Sequence, residues 1–392
     1  MLTQRELFLR HVAQTSDMPL SLEIVKAEGL YLTDATGKRY MDLISGIAVS
    51  NVGHRHPRVV VAIKEQVDKY MHLMVYGEYI QSPQVLLASL LTSVLPVQLS
   101  SVYFVNSGSE AIEGAMKLAK RFTGRTEMIS FANAYHGSTQ GSLSMMGKEE
   151  FKNAFRPLLP DTRQIRFNST DDLSQITERT ACVIAETIQG EAGAIVPNDD
   201  FMKQLRERCT TTGTLLIADE IQCGFGRTGK LFAFEHYGFV PDILCMAKGM
   251  GGGMPIGAFV SSVEVMSSLT NNPMLGHITT FGGHPVCCAA SLATLRVILQ
   301  ENLVEHVNEK EKLFRSLLVH PLIKSIQGKG LLLSLEFESY EQNKAIIDRC
   351  IKKGVITDWF LFNANSMRIA PPLNITTEEI KQACAVILSC IS

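Results

Sequence analysis

Lys248 closes an apolar run, residues 243–247, and it is the first group in this sequence with chemistry to offer. Lysines are almost never fully buried without a reason. In an apolar surrounding the ammonium form is disfavoured, and the neutral amine can then form a Schiff base with an aldehyde. A lone lysine of this kind more often simply reaches from a strand end to water. Asp219 follows the apolar run 215–218 in the same way. A carboxylate buried there unpaired is costly, so it needs a cation: a structural ion-pair partner or a protonated pyridine nitrogen both serve. Asn106-Ser107-Gly108-Ser109-Glu110-Ala111 follows the strand-like run 103–105 and opens a helix with an apolar face of Ala111, Ala115, Leu118, Ala119 and Phe122. Free N–H groups, a close-approach glycine and two hydroxyls suit a phosphate. An ordinary serine N-cap has the same appearance. Tyr135, which follows the run 128–131, can stack on a planar ring or sit as a rim aromatic.

Two other patterns are weaker. Residues 224–230 fit the G-x-x-x-x-G-K frame of a nucleotide loop, but position 231 is leucine where Mg²⁺ binding needs a hydroxyl. No strand runs directly into this segment and no helix clearly follows, so the nucleotide reading is rejected. His54-Arg55-His56 has an adjacent proline and no acidic or cysteine ligand nearby, which reads as a loop and not a metal site; no metal is expected.

These residues must be positioned by regular elements. Between 57 and 290, strand-like runs alternate with helical patterns, which predicts an α/β fold with a mostly parallel central sheet. Ligand sites in such sheets lie beyond the carboxyl ends of the strands, where the residues above fall. Short β-like runs occupy 20–56. After 290 the pattern changes to a long amphipathic helix over 289–318, then Gly328-Lys329-Gly330 and a strand over 331–337. The expected organisation is a large domain at 57–290 and a smaller α+β domain at 291–392, joined by an N-terminal segment at 1–56.

Composition narrows the classes. The 392 residues are 46% hydrophobic and 19% charged, ordinary for a globular chain with a substantial core. A formal net charge of −2 gives no dense basic face for nucleic acid or acidic membrane. The first 17 residues carry Arg5, Glu6 and Arg10 and no apolar signal core. The apolar stretch 85–97 contains Pro96 and is too short to span a bilayer. Nine cysteines without a C-x-x-C pair point to reduced thiols and a cytoplasmic setting.

In order and spacing the motifs are more specific than any one of them. The runs 46–49 and 53–57, Ser107-Gly108-Ser109-Glu110-Ala111, Tyr135-His136-Gly137 and Glu186-Thr187-Ile188-Gln189-Gly190-Glu191 come first. Asp219-Glu220-Ile221-Gln222 with 224–229 follows, then Ala247-Lys248-Gly249 at a spacing of 29 residues from Asp219 to Lys248. The segments 279–285 and 368–372 complete the set. From about residue 20 to 375 the chain resembles the class III aminotransferases, pyridoxal 5′-phosphate (PLP) enzymes of fold type I, and most of all their acetylornithine/ornithine and 4-aminobutyrate groups.

The resemblance implies roles. Lys248 would hold PLP covalently and shuttle the proton, and Asp219 would pair with the ring nitrogen. Tyr135 would stack on the ring, Gln222 would contact its hydroxyl, and Gly108 and Ser109 would bind the phosphate. Thr280 would reach the phosphate of a neighbouring subunit in a homodimer with shared sites, and Thr279 beside it would face substrate. Arg368 would bind the α-carboxylate of glutamate, with Glu191 as the switch that pairs with it when an ω-amine is bound. The implied reaction moves an amino group from an ω-amino acid, of N-acetylornithine or ornithine type, to 2-oxoglutarate. Donors such as 4-aminobutyrate, lysine or a diamine stay open. So do a racemase, decarboxylase or aminomutase on this fold, or a non-catalytic relative. Two positions depart from the family. Ser138 stands where an arginine for a substrate carboxylate is usual, with Arg156 or Arg166 as possible substitutes. Thr187 replaces a proline, with little effect expected beyond loop stiffness.

Overall fold

Unbroken apolar runs such as Thr180–Glu186, Leu215–Asp219 and Ile243–Met246 suit strands buried on both faces, and all three are buried at every position. A computed structural model describes residues 2–198 and 200–391; positions 1, 199 and 392, including the outer bounds of the expected segments, lie outside the described residues. The three strands form the middle of a seven-stranded sheet. Its order is Ser101–Val105, Gly257–Ser261, Ile243–Met246, Leu215–Asp219, Thr180–Glu186, Glu127–Phe131 and Thr162–Ile165. The five strands from Ile243–Met246 onward pair in parallel, while Gly257–Ser261 runs antiparallel to both its neighbours. The architecture is thus α/β with a mostly parallel central sheet.

Alternation along each strand sorts side chains onto two faces. Cys182, Ile184, Ile217 and Cys245 pack with the helix Gly108–Thr123, whereas Val183, Ala185, Leu216 and Leu244 pack with the helix Phe201–Thr212. The first helix buries Ala111, Ile112, Ala115, Met116, Leu118 and Ala119. Phe122, expected on that face, stays 40% exposed. Gly114 lets the helix settle on the sheet: a Cβ there would lie 2.3 Å from the Phe259 ring. Register aligns Glu186 with Asp219 and Asp219 with Cys245, so the carboxyl ends of the central strands share one edge.

Two four-stranded sheets complete the molecule. Ile24–Glu28, Tyr31–Asp34 and Arg39–Asp42 are antiparallel and are extended by Val355–Ile356, parallel to Arg39–Asp42. Ser325–Lys329, Leu332–Glu336, Asn363–Ile369 and Trp359–Phe360 form the other. The long helix expected over 289–318 is two helices, Pro285–Gln300 and Val307–Leu317. Asn302 between them has φ +50°, the left-handed conformation that asparagine tolerates and that ends a helix.

The segment with the nucleotide-loop frame has a structural task. Arg227 is fully buried and donates from Nη1 to the carbonyls of Leu331 and Pro371 and from Nη2 to Asn51 Oδ1. It therefore ties the turn after Leu215–Asp219 to distant segments on both sides of it in the sequence, at Asn51 and at Leu331 and Pro371. Burial pulls its pKa down to about 9. Arg227→Leu removes the buried cation but strands three acceptors at ~1 kcal/mol or more each. We expect unfolding free energy to fall by about 3 kcal/mol, read from the denaturation midpoint. An unchanged midpoint would show that the clasp contributes nothing.

Candidate active site

The carboxyl edge of the sheet opens into a cavity of about 420 Å³ whose walls include Gly108, Ser109, Tyr135, Glu191, Asp219, Gln222 and Lys248. These seven positions, singled out from the sequence, meet in one place although they span 141 positions of chain (248 − 108 = 140 steps).

Lys248 begins a short 3-10 turn, Lys248–Met250, directly after Ile243–Met246. Its φ of +45° lies in the left-handed region, which costs a non-glycine residue on the order of 1 kcal/mol or more. Such strain persists only where the surroundings over-determine it, and it throws the lysine into the cavity. Enclosure lowers the Lys248 pKa. The Arg368 cation acts in the same direction, against the pull of Glu191, Asp219 and Glu186.

Asp219 is buried at the end of its strand. Its Oδ2 lies 2.7 Å from His136 Nδ1, and its Oδ1 accepts from the Ile221 N–H at 3.0 Å. Burial alone would lower the His136 pKa, but the hydrogen bond and charge of Asp219, aided by Glu186, outweigh it and raise it. The other ring nitrogen of His136, Nε2, is buried with no hydrogen-bond partner among the described residues. Glu186 accepts from the Tyr135 and Gly190 N–H groups, and burial, with the Asp219 charge, lifts its carboxyl to about 8.

Behind the cavity wall formed by Glu191, and not itself lining the cavity, Arg368 donates from Nη1 and Nη2 to the two oxygens of Glu191 at 2.9 and 2.8 Å. Both residues are buried. Burial would raise the Glu191 pKa, but the Arg368 charge and hydrogen bonds bring it down to about 2. Gln222 Nε2 also donates to Glu191 Oε1, at 3.2 Å. Asp358 holds the far side of the guanidinium, accepting from Nε at 3.0 Å. Burial lifts the Asp358 carboxyl to about 6, with Arg368 opposing and Glu191 reinforcing.

At the N-terminus of the helix Gly108–Thr123, Ser107 caps the helix, accepting from the Glu110 N–H at 3.2 Å, and Ser107, Gly108 and Ser109 all line the cavity. Gly137 is also required there. With φ +126°, a Cβ on it would lie 2.1 Å from Ser109 Oγ.

Other sequence-derived positions lie elsewhere. Thr279 accepts a hydrogen bond from Asn106 Nδ2 at 3.2 Å. Thr280 is exposed, its carbonyl 2.8 Å from His72 Nε2. Ser138 is exposed and its hydroxyl is 3.2 Å from that of Tyr135. Arg156 pairs with Glu149 and Arg166 with Asp172, and neither lines the cavity. Thr187 does more than loosen a loop: its hydroxyl donates to the buried Glu220 at 2.7 Å. His54 has an acidic neighbour after all, Asp42, at 2.7 Å, in a His–carboxylate clip. His136, Glu186 and Asp358 were assigned no role from the sequence. His136 and Glu186 both sit inside motifs quoted above. The Asp358 contact depends on a chain reversal that no local pattern announces.

The donor set fits PLP. A buried carboxylate suits a protonated ring nitrogen, a helix N-terminus with Gly108 and Ser109 suits a phosphate, and a lysine with lowered pKa suits an aldehyde.

A lowered pKa puts more Lys248 in the neutral, nucleophilic form at a given pH. In protein stripped of carbonyl ligands, reductive methylation by formaldehyde at pH 7.5 is expected to label Lys248 ahead of the exposed lysines, by peptide mass spectrometry. Labelling of Lys248 should also begin at lower pH. Reaction no faster than that of Lys64 or Lys312 would contradict the lowered pKa.

Comparison with known proteins agrees with this geometry. A family model described as aminotransferase class-III matches residues 12–391. The acetylornithine aminotransferase of Methanopyrus kandleri is 39% identical over 378 residues, covering 96% of this chain and 95% of that protein. Among solved structures, a transaminase from the marine bacterium Virgibacillus superposes with a TM-score of 0.93 at 27% identity, covering 99% of this chain and 98% of that one. The ornithine aminotransferase of Toxoplasma gondii ME49 gives 0.92 at 28% identity, covering 100% and 95%. The chain belongs to the class III aminotransferases and is a PLP-dependent enzyme of fold type I that moves an amino group from an amino donor to a 2-oxo acid.

Proposed function

We propose that the enzyme takes the terminal amino group of an ω-amino acid of N-acetylornithine or ornithine type and passes it to 2-oxoglutarate, giving a semialdehyde and glutamate. The observation that carries this reading is the bidentate Glu191–Arg368 pair beside Lys248. Closed, the pair neutralises the guanidinium and leaves room for a donor end that carries no α-carboxylate. Opened, it presents two parallel N–H donors to the α-carboxylate of glutamate. The likeness to acetylornithine and ornithine aminotransferases supports the same donors.

Bound PLP supplies an electrophilic carbonyl and an electron sink. The Lys248 amine would be the base that moves the proton borne by the amine-bearing carbon of the substrate. Asp219, fixed by His136, would hold the cationic form of the ring nitrogen. Gly108 and Ser109 would hold the phosphate, Gln222 would meet the ring hydroxyl, and Tyr135 would stack on the ring.

The reading includes a homodimer. Met71, Ile80, Val85, Leu86, Ile278 and Phe281 are exposed and apolar. Ring contact of His72 with Phe281 and the bond from Gln84 to the Gly283 carbonyl put their segments on one face, with Thr279 and Thr280. A second copy would cover this face and let Thr280 approach the neighbouring phosphate. The reading also places the enzyme in the cytoplasm, supported by nine cysteines all free of disulfides. No helix among the described residues is long and apolar enough to cross a membrane.

The visible absorbance of PLP-loaded protein is expected to bleach with L-glutamate and return with 2-oxoglutarate. N-Acetylornithine or ornithine should then yield glutamate from 2-oxoglutarate. No glutamate from either donor would overturn the donor assignment, and glutamate from 4-aminobutyrate, lysine or a diamine would reassign it. Sedimentation should give a dimer at micromolar concentration; a monomer would refute the shared site.

A further inference from the structure

We infer that Asp358 is a positioning residue that keeps Arg368 in carboxylate-binding orientation while Glu191 is released. This rests on the glutamate/2-oxo acid reading above and extends it to a residue outside the switch pair.

The geometry divides the guanidinium into two edges. The edge formed by Nη1 and Nη2 faces Glu191, with both bonds to one carboxylate. The Nε edge faces Asp358 Oδ1 at 3.0 Å. A fork of this kind can exchange one carboxylate for another on the first edge without disturbing the second. Three further contacts hold Arg368 independently of Glu191. Its backbone N–H donates to the Asp358 carbonyl at 2.8 Å, its Nη2 points to the Trp359 carbonyl at 3.5 Å, and its guanidinium lies 4.5 Å from the Phe360 ring centroid. Asp358 thus grips Arg368 at both its main chain and its side chain.

Without that grip, an arginine that lost Glu191 would keep a stacking contact and one long carbonyl contact but no charged partner, and its long side chain would be free to turn. Asp358 removes that freedom beforehand, so an incoming α-carboxylate meets donors already aligned. The same segment reads the state of Glu191. The Leu361 N–H donates to Glu191 Oε2 at 3.1 Å and the Phe362 N–H to its carbonyl at 3.0 Å. Residues 358–362 therefore touch both members of the switch, and only Asp358 does so through a charge.

The test uses PLP-loaded wild type, Asp358→Ala and Asp358→Asn. Asparagine keeps the size and an acceptor oxygen, so it guards against a variant that fails only by misfolding. In Asp358→Ala, KM for L-glutamate and 2-oxoglutarate is expected to rise about tenfold, with kcat within about twofold and KM for the ω-amine donor unchanged, and Asp358→Asn should recover most of the loss. Calorimetric titration with glutarate should show the same order of affinities without turnover. Equal losses for both substrates, an asparagine variant no better than alanine, or unchanged KM for glutamate would each overturn the role of Asp358. A wild-type enzyme that does not exchange with glutamate would instead overturn the functional reading on which it stands.

Discussion

A carboxylate at the end of a strand buried on both faces has little water to solvate it, and the active site is organised around that constraint. Asp219 meets it with His136 on one oxygen and a backbone N–H on the other. The unsolvated charge would otherwise cost several kcal/mol, on the order of the stability of a whole domain. Each further charge in or behind the cavity wall is handled in a similar way. Glu191 and Asp358 share Arg368, whereas Glu186 is moved toward its neutral form. Lys248 is treated like Glu186, shifted toward its neutral form. Its surroundings lower its pKa, which leaves its amine available to an aldehyde.

The sheet supplies the precision. Register sets Glu186 beside Asp219, and the parallel arrangement delivers Lys248 one strand further over. The helix Gly108–Thr123 must lie close to the sheet for its N-terminus to face the same cavity, and Gly114 against Phe259 permits that approach. The left-handed turn at Lys248 is tolerated because the packed strand before it and the buried Gly249 and Met250 after it leave the backbone no easier course.

Some of this was legible in the chain. Apolar runs ending in Asp219 and Lys248 are strand ends in the fold, because burial on both faces demands unbroken apolar residues. Ser107 illustrates how two readings of one motif can both hold: it caps the helix and, with the next two residues, lines the cavity. Other features depend on distant partners. Thr187 looks like a neutral replacement until Glu220 is placed beside it. His54 lacks an acidic neighbour in its own segment and finds one in Asp42. The break at Asn302 escaped a reading based on amphipathic periodicity, because the pattern continues through a turn that a single left-handed residue makes.

The sequence by itself determined the parallel α/β plan, the lysine and the aspartate, and their family. These follow from local composition and from fixed motif spacing, which any reader of the chain can see. Only the tertiary structure decided which charges share a partner. Arg368 lies 177 positions from Glu191 but ten from Asp358, and neither separation says that one guanidinium serves both carboxylates. A guanidinium has two usable edges, and which groups meet them is set by how the hairpin after Val355–Ile356 folds over the carboxyl edge of the central sheet. That folding is a long-range balance of burial and hydrogen bonding, with no counterpart in any short run of residues.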